Sequence, residues 1–298
     1  MPLTPEQVLE RRGFVGSSDA SAIMGLDPYK TAHDVWWSKV GPVPTFLELE
    51  AEEIRKPWLK WGNALEEPVM DWAEGQIDAV IARGTVVQSD RFPMLKANLD
   101  GEILEPENGH KIVEAKTCGI LGPSPEWKFY GESGTDEVPR HVLIQVAHQF
   151  ACVGPAAQIA YVPALLSGRG FLLYVLRRDE ELVETVAGVC AAWWERYVLM
   201  KERPPGTPPI GIMKQFERVE GKKAVLADGT IRAWREAKDR VKNAKADVEV
   251  AETVILEALQ DAEFGESKTA GGCSYKMQKR KAYSVDAAEY RVLRYQKP

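Results

Sequence analysis

Cysteine is scarce and scattered in this chain. The four thiols, Cys118, Cys152, Cys190 and Cys273, form neither a Cys-x-x-Cys pair nor a mixed Cys/His cluster, which argues against structural zinc and iron–sulfur centres. They are expected to be free in a reducing compartment. No apolar run is long enough to cross a bilayer, so no membrane partner is expected. Residues 1–13 lack the apolar centre of a signal peptide, which makes a cytoplasmic location the expectation. No internal repeat is present either. Nor is there an overall basic excess of the kind that attracts nucleic acid, since the net charge is −6.

With 45% hydrophobic and 28% charged residues among 298, the chain reads as soluble and globular, either one large domain with an appendage or two domains. Its charge is uneven. Residues 1–206 hold 20 Lys and Arg against 30 Asp and Glu, whereas residues 268–298 hold eight basic side chains against Asp286 and Glu289. An acidic body that collects metal ions, with a basic tail, is compatible with DNA.

Two short helices are expected between Ser17 and Gly41, the first opened by Ser18 or Asp19 and the second by Thr31, around a turn at Gly25–Pro28. Residues 43–58 read as an irregular acidic connection. A helix is expected to begin between Asn63 and Glu67, with Leu65, Val69 and Trp72 at helical spacing. Segments Thr85–Gln88, Ala97–Leu104 and Lys111–Thr117 alternate like strands of one sheet. Pro139 opens a helix with Leu143, Val146, Ala147 and Phe150 on one face. Strands at Gln158–Val162 and Gly170–Leu176 then precede a helix from about Glu180 to Lys201. The stiff segment Arg203–Pro209 is the clearest boundary, dividing residues 1–206 from an appendage at 207–298. In the appendage, Ile231–Leu259 reads as a long charged helix, followed by a break at Gly271-Gly272 and strand-like pieces at Cys273–Met277 and Arg291–Tyr295.

The strongest local signal is Asn98-Leu99-Asp100-Gly101 at the end of one expected strand, with Glu114-Ala115-Lys116 on the next. On adjacent strands, residues 100, 114 and 116 can point to one side, because alternate side chains share a face. Two hard carboxylates and a cation then converge. That set suits phosphodiester hydrolysis, in which the carboxylates hold Mg²⁺ or Mn²⁺, the metal acidifies a water, and the lysine orients the nucleophile or offsets charge. A surface hairpin with a Glu–Lys pair is the bland alternative. Glu66, at the expected start of a helix, adds a carboxylate for the metal or, with Asn63 at capping-box spacing, satisfies the helix end. Gln145 and Gln149, four apart, could position a water or DNA, or form an ordinary solvated face. His141 and His148 read as solvent-facing. Arg11 and Ser18 flank the start of a helix, where backbone amides, a serine and an arginine favour a phosphate; helix capping by Ser18 is the alternative.

Taken in order, these residues resemble the YqaJ-like and lambda-exonuclease group of phage recombination nucleases, within the restriction-endonuclease-like PD-(D/E)XK superfamily, from about Arg11 to Lys201. Arg11 to Leu26 looks like that group's N-terminal signature and Gly62–Glu66 its helix motif. Leu99-Asp100-Gly101 looks like its metal aspartate, with leucine where a proline is frequent, and Glu114-Ala115-Lys116 like its Glu-x-Lys centre. Gln145–Phe150 resembles its glutamine helix and Gly170–Asp179 its closing strand.

The resemblance implies an α/β fold, a restriction-endonuclease-like core with a central mixed sheet flanked by helices over residues 1–206, and a helical and β appendage at 207–298. It implies Asp100, Glu114, Lys116, Gln145 and Glu66 as catalytic residues. Asp100, Glu114, Glu66 and Ala115 are the implied ligands of two Mg²⁺ ions, with Mn²⁺ as a substitute, and Arg11 and Ser18 the implied contacts of a 5′-terminal phosphate. The expected activity is 5′→3′ digestion of double-stranded DNA ends, leaving 3′ overhangs for a single-strand annealing protein. A homo-oligomer is expected, with a trimeric ring as one form, in the cytoplasm of a bacterial host carrying a phage or prophage. Two alternatives stand beside this reading. An endonuclease or nickase would have little use for a terminal-phosphate pocket, and a catalytically silent DNA-binding module would have no need of Asp100, Glu114 and Lys116 together.

Overall fold

Three short helices come first, α1 (Pro5–Arg11), α2 (Ser17–Ile23) and α3 (Ala32–Val40), then a long one, α4 (Pro57–Ile77). Strands β1 (Ala82–Gln88), β2 (Lys96–Glu105), β3 (Gly109–Val113) and β4 (Lys116–Cys118) follow. Next are helix α5 (Arg140–Val153), strands β5 (Ala157–Leu166) and β6 (Gly170–Arg177), and α6 (Glu180–Trp193), which widens into a π turn over Trp194–Leu199. Helix α7 (Asp228–Leu259) and the hairpin of β7 (Phe264–Ser267) and β8 (Gly271–Ser274) end the series. The computed structural model describes residues 5–44, 49, 57–105, 109–119, 126–206, 213, 220 and 222–277. Most of the acidic connection at 43–58, the tip of the Glu105–Gly109 turn, Thr207–Pro209 and the basic tail from Lys279 with its strand-like Arg291–Tyr295 lie outside the described residues.

The sheet is organised on β5. Its antiparallel partner β6 lines one edge, and the other edge carries β3 and β4 in succession, both parallel to it. His110–Val113 lies beside Ala157–Tyr161, and Lys116–Cys118 beside Ala164–Leu166. Antiparallel β2 and β1 extend the sheet beyond β3. This is the expected mixed sheet flanked by helices. Where one strand was expected from Lys111 to Thr117, the ladder breaks at Glu114-Ala115, because the Ala115 amide donates to the Asp100 carboxylate at 2.9 Å instead of to a strand. Asp100 lies in the middle of β2 and not at its end.

Helix α5 is buried nearly all round, as Val142, Ile144, Val146, Ala147, His148, Gln149, Phe150 and Cys152 attest. A helix covered on every side can have no ordinary solvated face. That corrects the expectation for His148, which is 0% exposed, because α2 and α6 pack on α5 as well as the sheet. Met70 and Ala73 of α4 form a second cluster with Ile81, Ile103 and Val113. Gly101 permits this approach, since a Cβ there would lie 2.4 Å from both Met70 Cε and Ile81 Cγ2.

Three helix starts show how local rules were resolved. Thr31 caps α3 as expected, accepting from the Asp34 amide at 3.2 Å. Gly16, not Ser18 or Asp19, precedes α2, and its own amide donates to Asp19 Oδ2 at 3.2 Å. Helix α4 begins at Pro57, a residue well suited to a first helical position, so Asn63 and Glu66 lie in its interior and form no capping box. The chain divides into compact units at Met1–Glu217 and Arg218–Pro298, whereas the sequence boundary was set at 206/207. His33 Nε2 donates to the Pro204 carbonyl at 3.1 Å, so the first prolines of that segment are tied to α3. Gly271-Gly272, expected as a break, opens β8 instead.

Burial pushes the His148 imidazole down to about 4, against the upward pull of Asp19 and the Val15 backbone. A base whose folded value is depressed contributes stability that is present above its ordinary value of 6.5 and lost as pH falls through that value toward the folded one. His148→Gln is expected to flatten the melting-temperature curve between about pH 6.5 and pH 4. A curve parallel to that of the parent protein would remove His148 as the cause.

Candidate active site

Glu114 sits where the β3–β4 strand breaks, with 2% exposure. Its Oε1 accepts from Gln145 Nε2 at 2.6 Å and from Lys116 Nζ, and its Oε2 accepts from Gln149 Nε2. Lys116 Nζ also donates to Gln145 Oε1 at 3.0 Å. Gln145 and Gln149, one helical turn apart on α5, thus hold both carboxylate oxygens. Asp100 comes from β2, its Oδ2 accepting from the Ala115 amide at 2.9 Å. Glu66 comes from α4, within electrostatic reach of Glu114 and Lys116. On the preceding turn, the Cβ position of Gly62 lies 3.8 Å from Thr117 Oγ1, so α4 runs beside β4.

The fold therefore gathers Asp100, Glu114, Lys116, Gln145 and Glu66 in one place. Gln149 joins them as the second amide on Glu114, and the signal for it was its four-residue spacing from Gln145. Its burial decides against the solvated-face reading.

Burial pushes the Asp100 carboxyl well above the ordinary carboxylate range, Glu114 and Glu66 add to the rise, and Lys116 and the Ala115 amide pull it back. Glu66 is also raised, by burial first and then by Glu114 and Glu67, with Lys116 and Arg83 opposing. Several carboxylates around one lysine leave excess negative charge in a partly dry place, which a divalent cation would relieve. The donors are hard oxygens and suit Mg²⁺ or Mn²⁺. Among the described residues, no three His, Cys, Asp or Glu side chains form a ready-made metal cage. The Glu114 oxygens are engaged by its two glutamines and Lys116, so the fit to a cation rests on donor chemistry and charge.

Arg11 and Ser18 belong to an adjoining cluster. Arg11 closes α1, Ser18 is the second residue of α2, and both are exposed. Beside them the buried Asp19 pairs with Lys30 at 2.5 Å and Lys39 at 2.8 Å. Although burial pushes Asp19 up, these two ammonium groups hold its carboxyl well below the usual range. Lys39 Nζ also donates to the Arg11 carbonyl at 2.8 Å, and the Arg11 charge acts on both lysines. His141, one turn before Gln145, joins the two clusters: it is partly buried, not solvent-facing as expected, and it feels both Lys116 and Asp27. Asp27 in turn accepts from the Lys30 amide at 2.8 Å. Lys30 and Lys39 went unforeseen because isolated lysines have no spacing signal, and only the fold brings them to Asp19.

A family model for the YqaJ-like viral recombinase domain matches residues 8–156. The uncharacterized protein YqaJ of Bacillus subtilis (strain 168) is 26% identical over 270 residues, which span 87% of this chain and 79% of that one. Similar solved structures include LHK-Exo in complex with dAMP, at 14% identity over 67% of this chain and 97% of that chain, with a TM-score of 0.45. A second structure, of LHK-Exo as an alkaline exonuclease from Laribacter hongkongensis, matches at 14% identity over 66% and 96%, with a TM-score of 0.41. A phage related exonuclease from Haemophilus somnus 129PT matches at 13% identity over 63% and 96%, with a TM-score of 0.36.

Proposed function

For a chain that belongs to the YqaJ-like viral recombinase domain family, we propose a divalent-metal-dependent exonuclease that digests double-stranded DNA from 5′ ends and leaves 3′ overhangs. One observation carries the reading: a buried glutamate held through both oxygens by Gln145, Gln149 and Lys116, in the field of Asp100 and Glu66. A helix surface or hairpin needs no such arrangement, whereas a hydrolytic site needs its ligands locked before substrate arrives.

Asp100, Glu114, Glu66 and the Ala115 carbonyl would hold Mg²⁺ or Mn²⁺, two ions in the fullest form, which when bound polarise the phosphate and acidify a water. Gln145 and Gln149 keep Glu114 from rotating. Lys116, already donating to Glu114 and Gln145, supplies a positive charge and a proton donor beside the reacting phosphate. Arg11 and Ser18 receive the 5′-terminal phosphate, with Lys30 and Lys39 adding positive potential behind them. A single-strand annealing protein would take the overhang, and the working form would be a homo-oligomer.

Linear 5′-phosphorylated duplex labelled at either end, and covalently closed plasmid, incubated with Mg²⁺ or Mn²⁺, test this reading. The expected result is early release of the 5′ label, a surviving 3′-ended strand and an intact plasmid. Cleavage of the closed plasmid would turn the reading to an endonuclease, and silence on every substrate to a DNA-binding module. Glu66→Gln is expected to raise the Mg²⁺ concentration for half-maximal rate at least about tenfold, in the range that partners of metal sites cost. An unchanged Mg²⁺ titration would return Glu66 to a purely structural place on α4.

A further inference from the structure

Within the single helix α7, large apolar residues and alanines stand at heptad spacing. Trp234, Val241, Val248 and Ile255 recur every seventh position, and Ala237, Ala244, Ala251 and Ala258 follow each of them by three. Such positions form the seam of a coiled coil, here with a large residue at one core position and alanine at the other. Val241, Val248 and Ile255 are 57%, 55% and 44% exposed, and of the 32 residues of α7 only Leu259 is buried. An apolar seam of that length, left open by the described residues, marks an interaction surface.

Charge identifies the occupant. Before Ala246, Arg232, Arg235, Lys238, Arg240, Lys242 and Lys245 outnumber Asp228, Glu236 and Asp239. After it stand Asp247, Glu249, Glu252 and Glu257, with no Lys or Arg before Leu259. A parallel pair of such helices would set basic half against basic half. An antiparallel pair sets each basic half against the acidic half of the other copy.

Size complementarity selects the same arrangement. About a two-fold axis at Ala246, Trp234 faces Ala258 of the other copy, Val241 faces Ala251, Val248 faces Ala244 and Ile255 faces Ala237. Every large side chain meets an alanine, so the helices can approach closely without overpacking. Lys238 then lies near Glu252 of the other copy. We propose that α7 is a self-association element through which two copies of this chain pair as an antiparallel coiled coil centred on Ala246. The contact is isologous, and it stands whether or not the nuclease reading does.

Light scattering and sedimentation of the full chain test the pairing. Val248→Glu, which puts a charge in the seam opposite Ala244, is expected to halve the particle mass while circular dichroism retains the helix signal. Orientation is read by a short bismaleimide cross-linker on single-cysteine additions to the full chain, with the parent protein as the measure of background from Cys273. Lys245→Cys should give a covalent dimer, because the two copies of position 245 flank the axis. Val241→Cys should not, because its counterparts lie about 15 Å apart along the antiparallel helices. Cross-linking through position 241 and not 245 would mean a parallel pair and overturn the proposal. A mass unchanged by Val248→Glu, with neither cross-link formed, would mean that another partner covers the seam, and would overturn it too.

Discussion

Asp100→Asn is expected to yield a protein that melts higher than its parent at neutral pH and cuts DNA about a thousandfold more slowly. On the proposed reading the loss follows from removing a carboxylate that would hold the cation, worth several kcal/mol in phosphoryl chemistry at about 1.4 kcal/mol per tenfold. The gain follows from the environment: burial, Glu114 and Glu66 all disfavour the ionised carboxylate. A carboxyl whose folded value is raised contributes stability below its ordinary range and loses it as pH rises through the folded value, so near neutrality the parent carries a cost that asparagine lacks. The amide oxygen of asparagine can still accept from the Ala115 N–H. For a domain of this size the rise should be about 2–4 °C for each kcal/mol of repulsion removed. Mg²⁺ should raise the melting temperature of the parent, since a ligand that binds only the folded state stabilises it, and should leave the variant nearly unmoved. A variant that melts lower at neutral pH, follows the parent's melting curve across pH and still cuts would remove Asp100 from the site.

Arg11→Ala is expected to abolish a preference, not merely a rate. A 5′-phosphate offers Arg11 charge-assisted hydrogen bonds that a 5′-hydroxyl cannot, and bonds to charged groups are worth about 1.5–3 kcal/mol, or about 10–100-fold. The parent should digest phosphorylated duplex faster than hydroxylated duplex by a factor in that range, and Arg11→Ala should bring the two rates together. The Arg11 carbonyl, not its guanidinium, accepts from Lys39 in the Asp19–Lys39 cluster, so the substitution keeps that hydrogen bond and the ion pair behind it. Equal slowing on both ends would dismiss the phosphate assignment, as would a parent enzyme that is indifferent to the end group.

The strands were legible because their alternation is a local property: the expected strands of the sheet appear with their ends shifted by a few residues, except that Lys111–Thr117 is divided in two at Glu114-Ala115. Asp100, Glu114 and Lys116 were legible because their spacing on neighbouring strands is also local. Burial was not. His148 and Gln149 are polar residues on a helix with one obvious apolar face, and nothing near them in sequence says that α2 and α6 will cover the remaining faces. The capping-box reading of Asn63 and Glu66 failed for a related reason: those residues match a helix start, but Pro57 supplies an earlier one. Lys30 and Lys39 lie eleven and twenty residues from Asp19, and their meeting depends on how α2 and α3 pack.

The broken strand at Glu114-Ala115 also governs when, during synthesis, the site can exist. Lys116 is held beside Ala164 and Val113 beside Tyr161, so both sides of the break depend on β5. Parallel strands joined through a crossover such as α5 depend on non-local contacts, which as a class form more slowly than local helices. A nascent chain that has emerged only through α5 contains Glu66, Asp100, Glu114, Lys116, Gln145 and Gln149, and β2 can already pair with β3, but Lys116–Cys118 has no strand beside it until β5 follows. A chain truncated before Ala157 is therefore expected to lack the cleavage proposed for the full chain, although it contains every residue of the candidate site.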